Sequence, residues 1–454
     1  MSKKNNNQKY NNKKQKNKKN EHKKNNNYKK INQKSKIKEK KQQEKNRVKQ
    51  NRVKEQPVKE EIIQKEEYVV KAKINIISIL LFFIFVVLLT GTIQVIYKGI
   101  YIEQERKLEL IEVKEDIIIE NELSLIMVGD CLIHGAIYDD AKENGGYNFY
   151  KMIENVKPII EKYDLAFYNQ ESILGGTSLG LSSYPRFNSP QEVGDTFIDM
   201  GFNLVGLANN HTLDMGKRGI RASLEYWKKK ENIMTAGSYS SEEERITPNI
   251  MEKNGITYAL LSYTTTTNGL TVPSDEPYLV STYEEAKVKE DIERLRDKVD
   301  VLMVSMHWGE EYTHNPTESQ RNIANYLASL NVDIVIGHHP HVIQPIDFIG
   351  NTMVIYSLGN FIASQYGVEK LTGLMASVTI KKTTINGEST ITLENPTAEL
   401  VYTYSVIDRY RHSYKLYPYT MLNDNLLSNY EKHYEKYMNI VTSMNERIQR
   451  VSIK

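Results

Sequence analysis

The stretch VDIVIGHHPHVIQPI, residues 332–346, sets a short β-prone run directly before a glycine and three imidazoles within four positions. Residues 332–336 read as a buried strand, because the run is short, mostly apolar and rich in β-branched side chains. His338, His339 and His341 then fall at its carboxyl end. Such a density of imidazole after a buried strand points to ligands, and the sequence leaves open which of His338 and His339 turns inward.

The same figure recurs along the chain. Strands are expected at 123–128, 165–168, 204–207, 258–262, 299–306 and 353–357. Most of them run into polar clusters: Gly129-Asp130, Asn169-Gln170-Glu171, Asn209-Asn210-His211, His307-Trp308-Gly309-Glu310, and Ser357-Leu358-Gly359-Asn360. Helical patterns at 217–230, 283–298 and 317–330 alternate with them, the last with Ile323, Leu327 and Leu330 at helical spacing. That rhythm predicts an α/β protein. Residues 375–380 and 389–394 flank Asn386-Gly387 and predict a hairpin. A domain over 122–403 is expected, followed by a loosely helical extension at 404–454.

In open α/β sheets the carboxyl ends of the strands point loops and side chains into a common crevice. Distant segments of this chain would therefore meet there. Asp130, Glu171, Asn210, His307 and two of His338, His339 and His341, with His211 as a further candidate, make a mixed nitrogen and oxygen set without thiolate. Such a set suits Mn, Fe or Zn, singly or as a pair, better than calcium. Two such ions ~4 Å apart would clamp a phosphoryl oxygen and supply the nucleophile, while a neighbouring histidine assists the leaving group. Blander roles exist for several of these residues. Gly129-Asp130 also suits a turn, and Asn210-His211 with Asp214 and Gly216 also suits a helix-capping turn. His134 and His314 read as surface or structural, and Cys131 as a small buried residue.

The charge is divided along the chain. Of 454 residues, 60 are Lys or Arg and 57 Asp or Glu, for a net +3. Residues 1–73 hold 26 of those cations and 8 of the anions, a net of +18, which leaves −15 for the rest. One cysteine excludes an internal disulfide framework, a cysteine-based zinc finger and a CxxC redox pair. The basic segment 1–73, dominated by Lys, Asn, Gln and Glu, reads as a disordered tail. A nucleic-acid arm is the competing reading, set aside because the next segment supplies a simpler explanation for the charge. Residues 74–97 carry no charge and exceed the ~20 residues that cross a bilayer as a helix. They lie too far from the N-terminus for a signal peptide. Positive charge before the helix predicts a cytoplasmic tail and an extracellular C-terminal domain, single-pass in the cell membrane. Residues 98–121 read as a short helical stalk.

The motifs IMVGDCLIHG (126–135), DLAFYNQES (164–172), FNSP (187–190), GLANNHTLDMGKRGI (206–220), SMHWGEEY (305–312), IGHHPHVIQPI (336–346) and IYSLGNF (355–361) together resemble the CapA family of capsule or poly-γ-glutamate biosynthesis proteins. The resemblance implies a four-layer α/β/β/α sandwich of the metallophosphoesterase type with the site at its upper edge. It also implies metal ligation by Asp130, Glu171, Asn210, His307, His339 and His341, with His211 as the general-acid candidate of the Asn210-His211 pair; Asp214 is a further catalytic candidate. Typical metallophosphoesterases open with Asp-x-His, whereas Leu132 holds the histidine position here, and Asn169 and Glu171 stand where the second motif supplies a bridging Asp. The partners implied are the cell membrane, an anionic polymer such as poly-γ-glutamate and membrane-bound polymer synthase subunits, with no nucleic acid.

Three functions follow from these readings. The chain is expected to be a membrane-anchored component of a capsule system, a metal-dependent phosphoesterase or other hydrolase of an external substrate, or a non-catalytic scaffold subunit of a polymer synthase. The acidic outer part would repel a polyanion unless bound cations reverse the potential locally.

Overall fold

The computed structural model describes residues 76–109, 116–408 and 411–453. The expected disordered tail, 1–73, lies outside the described residues. The chain divides into two units after Glu112. The first contains helix α1 (Ile76–Glu109). Its stretch Ile79–Lys107 is long and apolar enough to cross a membrane, and none of it is buried by protein. The helix passes residue 97 without a break, because Glu, Lys, Arg and Gln sustain it. The stalk expected at 98–121 is not one element: its last residues, from Ile118, already belong to a strand.

The second unit carries two sheets. The larger holds β1 (Ile118–Leu132), β4 (Leu165–Asn169), β5 (Leu204–Gly206), β6 (Met234–Ala236), β13 (Asn360–Ala363), β14 (Thr372–Ile385), β15 (Glu388–Asp408), β16 (Arg411–Pro418) and β17 (Gln449–Arg450). Its main path runs β16-β15-β14-β1-β4-β5-β6, with β13 on β1 and β17 on β15. β1, β4, β5 and β6 are mutually parallel, and β14 to β16 form an antiparallel meander. The second sheet, in the order β11-β12-β10-β9-β8-β7, comprises β7 (Met251–Lys253), β8 (Ile256–Thr264), β9 (Val301–His307), β10 (Ile334–His338), β11 (Ile346–Ile349) and β12 (Thr352–Ile355). A short ribbon pairs β2 (Lys142–Glu143) with β3 (Gly146–Tyr147).

Period-two alternation sorts the strand residues between cores. Leu125, Met127 and Phe167 of the larger sheet share one core with Leu260, Met303, Ile336 and Ile355 of the second. Their neighbours Ile126, Val128, Ala166 and Tyr168 pack with Ile137, Val193, Phe197 and Trp227 from helices outside the larger sheet. On the second sheet, Val304, Met306 and Val335 pack with Val288, Ile292, Ile323 and Leu327 of the helices Glu285–Leu295 and Glu318–Ser329. The latter helix opens on a capping box between Thr317 and Gln320, which satisfies two otherwise unpaired backbone N–H groups. The fold is thus mixed α/β and rich in sheet.

Two expectations are corrected at the C-terminal end. Residue 403 falls inside β15, so no boundary lies there, and 404–454 is not a helical extension. Its described residues supply the end of β15, all of β16 and β17, a 3₁₀ turn at Tyr419–Met421 and one α-helix, Tyr430–Val441. Tyr402 and Thr403 pair with Tyr417 and Leu416 across the β15–β16 ladder, an aromatic-rich pattern suited to strands. The helix buries Tyr434, Tyr437, Met438 and Val441 in the core shared by both sheets. The expected hairpin does form around Asn386-Gly387, with longer arms than the sequence showed.

Candidate metal centre

A local irregularity in β1 aims the first acidic residue. Met127 pairs with Phe167, but the next registered pair is Asp130 with Asn169. Three steps on β1 thus match two on β4, so one extra residue is accommodated as a bulge. The bulge changes phase: Asp130 joins Phe167 and Asn169 on the face between the sheets. Gly129 permits it by close approach, since a Cβ there would lie 1.8 Å from the carbonyl oxygen of Gly359. The Asp130 N–H donates to that same oxygen at 2.9 Å.

The second sheet delivers the histidines. His307 and His338 are the last residues of β9 and β10 and sit in register with each other. His338 lies in phase with Ile334 and Ile336, so it faces the inter-sheet core, where its Nδ1 is 3.1 Å from Asp130 Oδ1. His339 and His341 follow with φ of 96° and 57°. These left-handed conformations are rare for residues with a Cβ and are found where surrounding structure over-determines the backbone.

These residues converge. Asp130, Glu171 and His341 each offer a ligand atom within 4.8 Å of the others, and all three are buried. His307 Nε2 and His341 Nε2 lie 3.6 and 3.7 Å from Glu171 Oε1. His339 Nδ1 is 3.1 Å from His307 Nε2, and the His339 N–H donates to Asp130 Oδ2 at 3.4 Å. The Asn210 amide donates to Asn268 Oδ1 at 3.4 Å, and its own Oδ1 is buried without a hydrogen-bond partner. His211 and Asp214 stand with His341 on the wall of a cavity of about 320 Å³, which Tyr184, Phe187, Glu311 and Tyr312 also line.

The donor set fits a cation by a test internal to the fold. Both carboxylate oxygens of Glu171 are buried with no hydrogen-bond partner, a costly state for an acid. Burial and the charge of Asp130 push the Glu171 carboxyl well above its usual range. Burial acts the same way on Asp130, but hydrogen bonds and charge from His338 and His341 outweigh it and hold that carboxyl well below. Burial lowers His341, yet Glu171 and Asp130 carry it up to about 9. Burial, reinforced by neighbouring imidazoles, drives His339 down to about 4 and His307 well below its ordinary value. An opposed acid pair with crowded imidazoles is the balance a divalent cation would resolve.

Two amides outside the expected ligand set support the cluster. Asn169 donates to Asp130 Oδ1 at 2.8 Å and lies 3.4 Å from His307 Nδ1. Asn360 meets His341 Nδ1 at 2.9 Å. Both sit in strand-end clusters noted above, so the signal existed, but nothing local separated these two amides from that of Asn210. His134, expected at the surface or as structural, lines the cavity, and burial lowers it to about 4. His314 is half-buried with Nδ1 2.8 Å from the Ile343 carbonyl, a structural contact. Cys131 is fully buried in an apolar core, as expected.

The chain is similar to known capsule biosynthesis proteins. The PGA biosynthesis protein CapA of Bacillus subtilis (strain 168) is 28% identical over 250 residues, 54% of this chain and 64% of that protein. The capsule biosynthesis protein CapA of Bacillus anthracis is 27% identical over 257 residues, 54% of this chain and 61% of that one. The chain thus covers less than two thirds of either relative. Among solved structures, a hypothetical protein from Thermus thermophilus aligns over 65% of this chain and 98% of its own, with TM-score 0.37 and 13% identity, too remote to carry an argument. The model of the bacterial capsule synthesis protein PGA_cap matches residues 124–365, which include every residue of the cluster around Asp130, and by that match over more than half its length the chain belongs to this family, the CapA proteins.

Proposed function

We propose that the chain is a membrane-anchored protein whose extracellular domain takes part in building or exporting a capsule polymer, poly-γ-glutamate or a relative of it, and holds one or two divalent cations. The observation that carries the metal reading is the buried, unpartnered Glu171 carboxylate facing His307 and His341. The ligands proposed are Asp130, Glu171, His307, His339 and His341, with the orphan oxygen of Asn210 as a further donor. Mn, Fe or Zn suits them. Helix α1 supports the anchor, and the basic segment before it supports a cytoplasmic N-terminus. The three cores support a four-layer α/β/β/α order. Membrane-bound synthase subunits and the polymer are the proposed partners. Deleting the gene is expected to remove the surface polymer. Wild type should restore it and the double variant Asp130→Ala/His341→Ala should not; unchanged polymer in the deletion strain would contradict the capsule role.

A second reading, hydrolysis of an external phosphoester, is favoured by one feature of the cavity. Asp214 Oδ2 accepts from His211 Nδ1 at 2.7 Å and from the Phe187 N–H at 2.6 Å. A carboxylate so fixed sets the imidazole tautomer and leaves Nε2 free for proton transfer. When bound, a divalent cation supplies Lewis-acid polarisation of a substrate oxygen. His211 would donate a proton to the leaving group, Asp214 would hold the ring, and Phe187 would exclude water beside it. With a generic aryl phosphodiester, His211→Ala is expected to lower kcat by ~10²–10⁴ at unchanged metal content. Equal rates for the variant and wild type would leave the capsule role without a hydrolytic step.

A further inference from the structure

We infer that Asn360 is the positioning residue of this centre, holding the His341 ring so that Nε2 is the nitrogen presented to a cation; the inference rests on the metal reading above. Asn360 opens β13, pairs with Asp130 across parallel strands and is 1% exposed. Its Nδ2 has three acceptors: the Lys370 carbonyl at 2.8 Å, Gln365 Oε1 at 2.9 Å and the His341 carbonyl at 3.3 Å. The two carbonyls can only accept, so the amide has one orientation, and its Oδ1 is left facing His341 Nδ1 at 2.9 Å. An amide oxygen accepts, so Nδ1 carries the proton there, and Asp130 Oδ2, at 3.4 Å, is a second and longer neighbour. Nε2 is then the nitrogen turned to Glu171.

The anchor matters because of where His341 stands. It lies beyond the end of β10, in a left-handed backbone conformation, so the strand ladder does not fix its ring. Ligating histidines commonly donate their other ring N–H to such a partner, and loss of the partner costs roughly 10–100-fold in affinity. Gln365 also lines the cavity, so the segment that walls the cavity is the one that locks the amide.

The test uses the full chain in detergent with Zn²⁺ alone as the probe. Asn360→Leu and Asn360→Asp both lose the three Nδ2 contacts, and only the aspartate keeps an acceptor for His341 Nδ1, together with an added charge; the ring orientation in the metal-free variants reads the acceptor apart from that charge. Asn360→Leu is expected to weaken Zn²⁺ binding roughly 10–100-fold relative to Asn360→Asp, and in crystals of the metal-free variants only the leucine form should show a reoriented His341 ring. Should the core reject both, Gln365→Ala, which removes one anchor, is expected to weaken binding in the same direction by a smaller factor. Equal Zn²⁺ affinity and an unchanged ring in Asn360→Leu, or full affinity in Gln365→Ala when neither core variant folds, would overturn the assignment. Failure of the wild type to bind Zn²⁺ would overturn the metal reading instead, and the ring orientation would then decide the role of Asn360 by itself.

Discussion

Glu171→Gln is expected to separate metal binding from stability, lowering divalent-cation affinity at least ~100-fold while stabilising the metal-free protein at neutral and alkaline pH. The substitution keeps the shape of the side chain and removes only its capacity for charge. Glu171 has no hydrogen-bond partner to lose. Its raised pKa means that the folded state binds a proton the unfolded chain releases above about 4.5. Wild-type stability therefore falls as pH rises from there. His341 acts in the same sense: raised to about 9, its contribution is complete below 6.5 and is lost on the way up. The advantage of the variant should accordingly grow with pH, by at most about 1.4 kcal/mol per unit for each proton. Thermal melts of metal-free wild type and variant at pH 5 and pH 8 measure this. A variant less stable than wild type at pH 8 would show that the carboxylate is satisfied by the protein alone.

Gly129→Ala should be the most damaging small substitution near the centre, costing roughly 3 kcal/mol or more. The added Cβ would sit 1.8 Å from the Gly359 carbonyl oxygen, which is backbone held by the Asp130 N–H and cannot swing aside. Gly337→Ala meets the Tyr356 carbonyl oxygen at 2.0 Å and belongs to the same class. Both glycines let an interior strand pass within contact of the backbone at 355–359 that leads into Asn360. Gly146→Ala, where the nearest atom is 3.8 Å away, is the control and should stay within ~0.5 kcal/mol of wild type. Melting temperatures of the three variants decide the matter, and a Gly129→Ala protein as stable as Gly146→Ala would contradict the packing described.

What could be read before the fold was known follows from physics that is local. The apolar runs of β4, β8, β9 and β10 are buried on both faces, so they appear as continuous stretches that composition alone reveals. Strand ends mark where ligands gather, which is why Asp130, Glu171, His307 and His341 could be named together. Phase was not legible: the bulge before Asp130 depends on the carbonyl of Gly359, which lies far along the chain. His338 and His339 could not be ranked for the same reason, because the strand runs two residues further than the apolar run and puts His338 on the inner face. Tyr-rich β16 was missed because its partners, Tyr402 and Thr403, were assigned to another region. Asn210 could be named from its place at a strand end, and its Oδ1 is buried without a hydrogen-bond partner.

Buried oxygens and imidazoles from both sheets are proposed to hold a divalent cation. Metal analysis of the full chain, purified in detergent without chelator, tests it most directly. The wild type should retain at least one Mn, Fe or Zn ion per chain, and Asp130→Ala/His341→Ala should retain none while melting cooperatively. Equal metal in the two proteins, or none in either after incubation with each ion, would contradict the claim.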